Sequence, residues 1–153
     1  MGVRPRQLYH FLRGEAGSVF AETVIVLPVI IILSAGILEF GNILWQRHQL
    51  QTGVRDAARY WSRCPETYTT CTEEIAENIA FYGTPTPDTN TPPRVPGWND
   101  PADLIIDPDS PADPEYFTVI GRADYVASPL FNLLELESPI GFSYYYQTRY
   151  FGW

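Results

Sequence analysis

Between Glu22 and Glu39 the chain carries no charge for sixteen residues, T-V-I-V-L-P-V-I-I-I-L-S-A-G-I-L (Thr23–Leu38). A stretch this apolar belongs in a protein core or in lipid, and the choice decides what the rest can fold into. Sixteen residues fall a little short of the ~20 that cross a hydrocarbon core as a helix. Extension to Trp45 reaches that length but takes in Glu39; extension back to Ser18 takes in Glu22. A cleavable secretory signal ends in small residues at a cleavage point. Here the run continues as E-F-G-N-I-L-W, still rich in apolar side chains. Pro28 sits inside it, where a proline is better tolerated in a membrane helix than in a soluble one. These features predict a membrane helix over 18–45 with a local kink at Pro28. A buried helix of a soluble core is the alternative.

Charge divides the chain at about the same place. Residues 1–63 carry seven Arg against four acids, a net of +3, whereas residues 64–153 carry three Arg against fourteen acids, a net of −11. An acidic domain repels phosphates, whose binding relies on neutralisation by Lys and Arg, so nucleic acid is excluded as a partner. Lysine is absent, which removes Schiff-base and lysine general-base chemistry.

Arg4, Arg6 and Arg13 against Glu15 favour a cytoplasmic N-terminus. Arg47, Arg55, Arg59 and Arg63 follow the span closely, however, so flanking charge does not decide the orientation. Cys64 and Cys71, with six residues between them beyond the span, read as a disulfide if that side is oxidising. Two free thiols are the alternative. Metal needs two more ligands, and the only histidines are His10 and His48.

Residues 13–23 read R-G-E-A-G-S-V-F-A-E-T: a short basic leader ends at Gly17, and Glu22 stands five residues on. This resembles the type IV prepilin signal, cut just after the glycine by a prepilin peptidase. The continuation F-A-E-T-V-I-V-L-P-V-I-I-I-L-S-A-G-I-L-E-F-G, with the later V-R-D-A-A-R-Y, is similar to the TadE-like pseudopilins of tight-adherence pilus assembly. The family usually has an aromatic after the first glutamate, where this chain has Thr23. The resemblance implies cleavage between Gly17 and Ser18. It also implies that the new amine of one subunit meets Glu22 of a neighbour. The implied partners are other pilin or pseudopilin subunits, the prepilin peptidase, the inner-membrane assembly platform and membrane lipid. The implied location is the bacterial inner membrane, N-terminus cytoplasmic and C-terminal domain periplasmic, with incorporation into a pilus as a further step.

Physics supports a role for Glu22 independently, because a carboxylate at the edge of hydrocarbon is costly without a partner. Left unprocessed, the anchor would let Glu22 snorkel to the headgroups. Glu39, near the other edge, faces interfacial water or a second pseudopilin helix. Membrane helices associate by close packing rather than hydrophobicity, which makes Ser34, Ala35 and Gly36 candidate helix-packing residues.

Past the span, Ile43, Leu50, Val54, Ala57 and Trp61 continue a helical stripe, with Arg55, Arg59 and Arg63 on another face. That row suggests the acidic domain folding against it, anionic lipid, or plain solvation. A second helix is expected from about Glu73, capped by Thr70 or Thr72, with Ile75, Ile79 and Tyr82 inward and Gly83 as its stop. Residues 84–115 hold nine of the fourteen prolines and read as an extended surface loop with one edge strand at Leu104–Ile106. Its aspartates (Asp100, Asp103, Asp107, Asp109, Asp113) lack EF-hand spacing. Strands are expected from Tyr116, with Phe117, Val119, Gly121, Ala123 and Tyr125 on one face, and from Gly141. Between them, L-F-N-L-L-E-L-E forms a short helix or loop.

The fold class expected is α+β. A long N-terminal helix, half transmembrane and half amphipathic, is followed by a second short helix and a small antiparallel sheet in the exported domain. The organisation is leader 1–17, transmembrane helix 18–45 and exported domain 46–153. No catalytic constellation, cofactor motif or phosphate-cradling loop is present. The expected function is a minor pseudopilin-like subunit. The alternatives are an unassembled membrane-anchored binding module and a minor pseudopilin of a type II secretion system.

Overall fold

The computed structural model describes residues 15–64, 70–107, 116–129 and 140–151. The leader up to Gly14, the segment 130–137 and the aspartates at 109 and 113 lie outside them. The chain divides into two compact units, 1–40 and 41–153. Helix α1 (Glu15–Trp61, 47 residues) runs without interruption through Pro28 and contributes to both. The α+β class is observed as expected.

In the first unit every Val, Ile, Leu and Phe side chain from Val19 to Leu38 is exposed, from 42% at Val26 to 73% at Ile37. In water, each such side chain left unburied forgoes about 1.5–3 kcal/mol. A soluble core helix hides these groups; this one presents them all round, as a lipid-facing helix does. The helix is long and apolar enough to cross a membrane, compatible with a single-pass anchor.

The second unit packs the remainder of α1, a ten-residue helix α2 (Glu73–Tyr82) and a three-stranded sheet around one core. Leu50, Val54, Ala57 and Trp61 of the expected stripe are buried, joined by Ala58, while Ile43 is only half-buried. Thr72, not Thr70, is the N-cap of α2: its hydroxyl accepts from the Ile75 N–H. Gly83 closes the helix at φ 77° and donates its N–H to the Ile79 carbonyl. The inward face is not the expected one. Ala76, Ala80 and Phe81 are buried, whereas Ile75, Ile79 and Tyr82 are half-exposed flanks. Alanines face inward because the two helix backbones approach closely there, and a Cβ on Gly53 of α1 would collide with the Ala80 carbonyl.

The strands are β1 (Leu104–Asp107), β2 (Tyr116–Asp124) and β3 (Gly141–Arg149), in the order β1-β2-β3 and antiparallel throughout. Ile106 pairs with Val119, and Val119 with Tyr146. Phe117, Val119, Gly121 and Ala123 of β2, with Tyr125 just beyond it, alternate into the core as their period-two pattern requires. Gly121 lets α1 down onto the sheet, since a side chain there would meet Val54 and Leu50.

The proline-rich stretch departs from the surface loop expected over 84–115. Val95 is fully buried and Trp98 is 1% exposed. Pro96 and Gly97 (φ 79°) occupy the two centres of a tight turn closed by Trp98 N–H to the Val95 carbonyl at 3.1 Å. Proline presets the first centre and glycine supplies the left-handed second. The turn turns both large side chains inward. Arg94 ties the loop to both helices, donating its N–H to the Phe81 carbonyl (2.7 Å) and its guanidinium to Asp56 (2.8 Å).

Candidate assembly surface

Glu22 lies on the exposed first half of α1, beside a shallow open groove of about 330 Å³ lined by Val19, Glu22, Thr23, Val26, Leu27 and Ile30. The Thr23 hydroxyl donates to the Val19 carbonyl at 2.8 Å, so it is satisfied within the helix. Gly17 and Ser18 fall in the opening turns of the same helix. At ~100° per residue, Glu22 shares a stripe with Val26, Val29, Leu33, Gly36 and Phe40, whereas Glu39 points about 100° away. The three small residues grouped by the sequence therefore separate. Gly36 joins the Glu22 stripe, with open space where its side chain would be; Ser34 and Ala35 face elsewhere. Glu39 is 5% exposed.

Sequence reasoning missed a polar clamp in the second unit. Gln46 is 1% exposed. Its Nε2 donates to the Val126 carbonyl at 2.7 Å, and its Oε1 accepts from the Val126 N–H at 3.1 Å. Asn42, one turn earlier, donates to the Tyr125 hydroxyl at 3.2 Å. The segment leaving β2 is thus held to α1 by an amide that reproduces a backbone pairing.

Cys64 and Cys71 form a disulfide with Cα atoms 5.7 Å apart, joining the end of α1 to the start of α2. Among the described residues no group of three His, Cys, Asp or Glu is placed to hold a metal. Replacing both cysteines by serine is expected to lower domain stability by about 2.5 kcal/mol, as closure of so short a loop implies. Denaturant melts of the two forms check this. Equal midpoints would show that the bridge constrains nothing.

Of the arginine row of α1, Arg55 meets the acidic domain, at β3. Arg55 donates from Nε to the Tyr144 hydroxyl at 3.0 Å, its guanidinium 5.4 Å above that ring. Asp56 reaches Arg59 only at 3.9 Å and is held by Arg94 instead. Elsewhere, burial and then Glu73 and Glu74 raise the Glu77 carboxyl above its ordinary range. Burial, with Asp100 and Asp124 nearby, does the same to Asp103 despite Arg122. Asp103 lines a shallow cleft with Arg122, Asp124 and Ser143.

Residues 17–59 match the family model described as TadE-like protein. The matched stretch contains Gly17, Glu22, the apolar run and the arginine-bearing turns as far as Arg59. No curated protein and no solved structure gives a significant match. TadE-like proteins are associated with the tight-adherence pilus and are in general not enzymes.

Proposed function

We propose, from the TadE-like character of residues 17–59, that this protein is a minor pseudopilin-like subunit of a tight-adherence pilus assembly system. It is anchored in the inner membrane by α1, with its N-terminus in the cytoplasm and its second unit in the periplasm. A prepilin peptidase trims it between Gly17 and Ser18. The trimmed helix then packs against the helices of other pilin-type subunits at the assembly platform, and the Glu22 stripe forms the contact.

The observation that carries this reading is Glu22 at the head of an apolar stretch exposed on all sides. A carboxylate so placed gains most from a cation supplied by a neighbour, and at low effective dielectric that attraction is strong but offset by desolvation. The pair therefore sets register between subunits more than raw stability. Gly36 on the same stripe permits close backbone approach. Glu39 enters the proposal as a second contact carboxylate, one already buried in the single chain. A partner helix reaches Glu22 with less rearrangement, so Glu22 carries the test given in the Discussion. The disulfide fits an oxidising periplasm.

Anchoring and orientation have their own test. Alkaline extraction is expected to leave the protein in the membrane pellet. Protease added to spheroplasts is expected to digest the second unit and spare the apolar half of α1. Release into the soluble fraction, or protection of the second unit, would refute the topology.

A further inference from the structure

Where α1 leaves the proposed span, the second unit gathers apolar side chains at one level. Asn42 and Gln46 stand about one turn apart on α1 and together hold Tyr125 and Val126. Gln46 pairs with both backbone groups of Val126, at 2.7 and 3.1 Å, and Asn42 donates to the Tyr125 hydroxyl. The Tyr125 N–H in turn donates to the Ile140 carbonyl at 2.8 Å, so Ile140 stands beside them. One turn of helix covers about 5 Å along its axis, which confines these groups to a thin layer.

Within that layer Leu44, Trp45, Val126 and Ile140 are all exposed, from 38% at Ile140 to 50% at Trp45. Leu44 points about 160° away from both Asn42 and Gln46, whereas Val126 is held on their side. The apolar groups therefore flank the helix on opposite sides. Single apolar side chains at a surface are ordinary; four at the level where a helix emerges from lipid are not scattered. Charge is distributed to match. From Phe40 to Val54 the only Asp, Glu, Lys or Arg is Arg47, which is exposed, and residues 125–129 and 140 include none. Glu39, which is buried, and Asp124, which is exposed, border these stretches. Residues 64–153 carry a net −11, which an anionic bilayer repels, but this end presents apolar groups and an arginine.

We infer that this end of the second unit rests in the membrane interface, as a lipid contact additional to the span. Val126 and Ile140 enter the boundary between headgroups and acyl chains beside Trp45, and Arg47 meets lipid phosphate. Tryptophan favours this layer because it has an apolar body and a polar tip. Apolar side chains that lie on a bilayer without crossing it are buried about 5–10 Å into the same boundary. The Gln46 amide keeps Val126 at the depth where α1 emerges, so the domain sits at a fixed height on the bilayer. The inference rests on the proposed anchoring by α1 and not on pilus assembly.

The test places the oxidised full chain in lipid nanodiscs of phosphatidylcholine and phosphatidylglycerol, with one environment-sensitive fluorophore at a time. Val126→Cys and Ile140→Cys each add a single reactive thiol, since Cys64 and Cys71 are paired. Leu33→Cys reports on the span, and Tyr145→Cys, at a side chain 72% exposed on β3, reports on water. Lipid carrying a nitroxide high on its acyl chain is expected to quench the labels at 126 and 140 several-fold more than the label at 145. Aqueous iodide is expected to show the reverse order. Two results would overturn the inference. Labels at 126 and 140 open to iodide and untouched by the nitroxide, with the label at 33 closed to iodide, would describe an anchored chain whose domain stands clear of lipid, its apolar end left for a protein partner. A label at 33 open to iodide would remove the anchor, and the inference with it.

Discussion

Trp98→Ala is expected to destabilise the second unit by about 3–5 kcal/mol, the range for removing a fully buried tryptophan. The ring joins three elements. It stacks edge-on against Phe81 of α2 with centroids 4.8 Å apart. It also lies over Gly53 of α1, where a Cβ would stand 2.8 Å from its Cζ3, and over Gly121 of β2, where the distance to Cζ2 would be 3.3 Å. Two of these neighbours are glycines, which have no side chain to move into the space left behind, so the cavity closes only in part. Domains of this size hold about 5–15 kcal/mol in all. Near-UV circular dichroism in detergent should record a melting temperature lowered by more than about 12 °C, at about 4 °C or more per kcal/mol. Trp98→Phe should lose less, because the indole nitrogen makes no hydrogen bond to give up. A melting temperature within a few degrees of the parent would show that the proline-rich loop is not structural.

Glu22→Ala is expected to leave membrane insertion intact while removing the protein from assemblies with pilin-type subunits. Insertion should be no worse, since the substitution deletes a charge at the edge of hydrocarbon. Assembly should suffer because the neighbour's amine is left buried and unpaired, a penalty of about 3–5 kcal/mol. That corresponds to a loss of more than about a hundredfold in co-purification from detergent-extracted membranes. Glu22→Gln keeps the shape and loses the charge, so it should fail in the same way if the ion pair sets register. Co-purification of Glu22→Ala at the parental level would count against the contact.

The features legible in the sequence are those with a local cause. A charge-free run of sixteen residues announces the exposed half of α1. The alternation from Phe117 to Tyr125 gives the inner face of β2, and Gly83 gives the stop of α2. The features that escaped depend on partners distant in the chain. Ala76 and Ala80 turn inward only because Gly53 lies opposite, so the larger Ile75 and Ile79 mislead any reading based on size. Proline density forbids regular structure but says nothing about burial. Pro96–Gly97 between Val95 and Trp98 was the available signal that the loop turns into the core. Gln46 resembles any polar helix residue until Val126, eighty positions on, presents both backbone groups to it.

The same limit applies to the candidate surface. Glu22 and the leader junction were read from a motif, whereas the separation of Gly36 from Ser34 and Ala35 follows from helical geometry. The strand order β1-β2-β3 and the contact between Arg55 of α1 and Tyr144 of β3 likewise needed the structure. Neither is written in local composition.

The most direct measurement is the intact mass, with N-terminal sequencing, of the protein extracted from membranes of cells that carry the pilus assembly genes. The account requires a chain beginning at Ser18, with its two cysteines paired. A membrane-extracted chain that still begins at Met1 would contradict it.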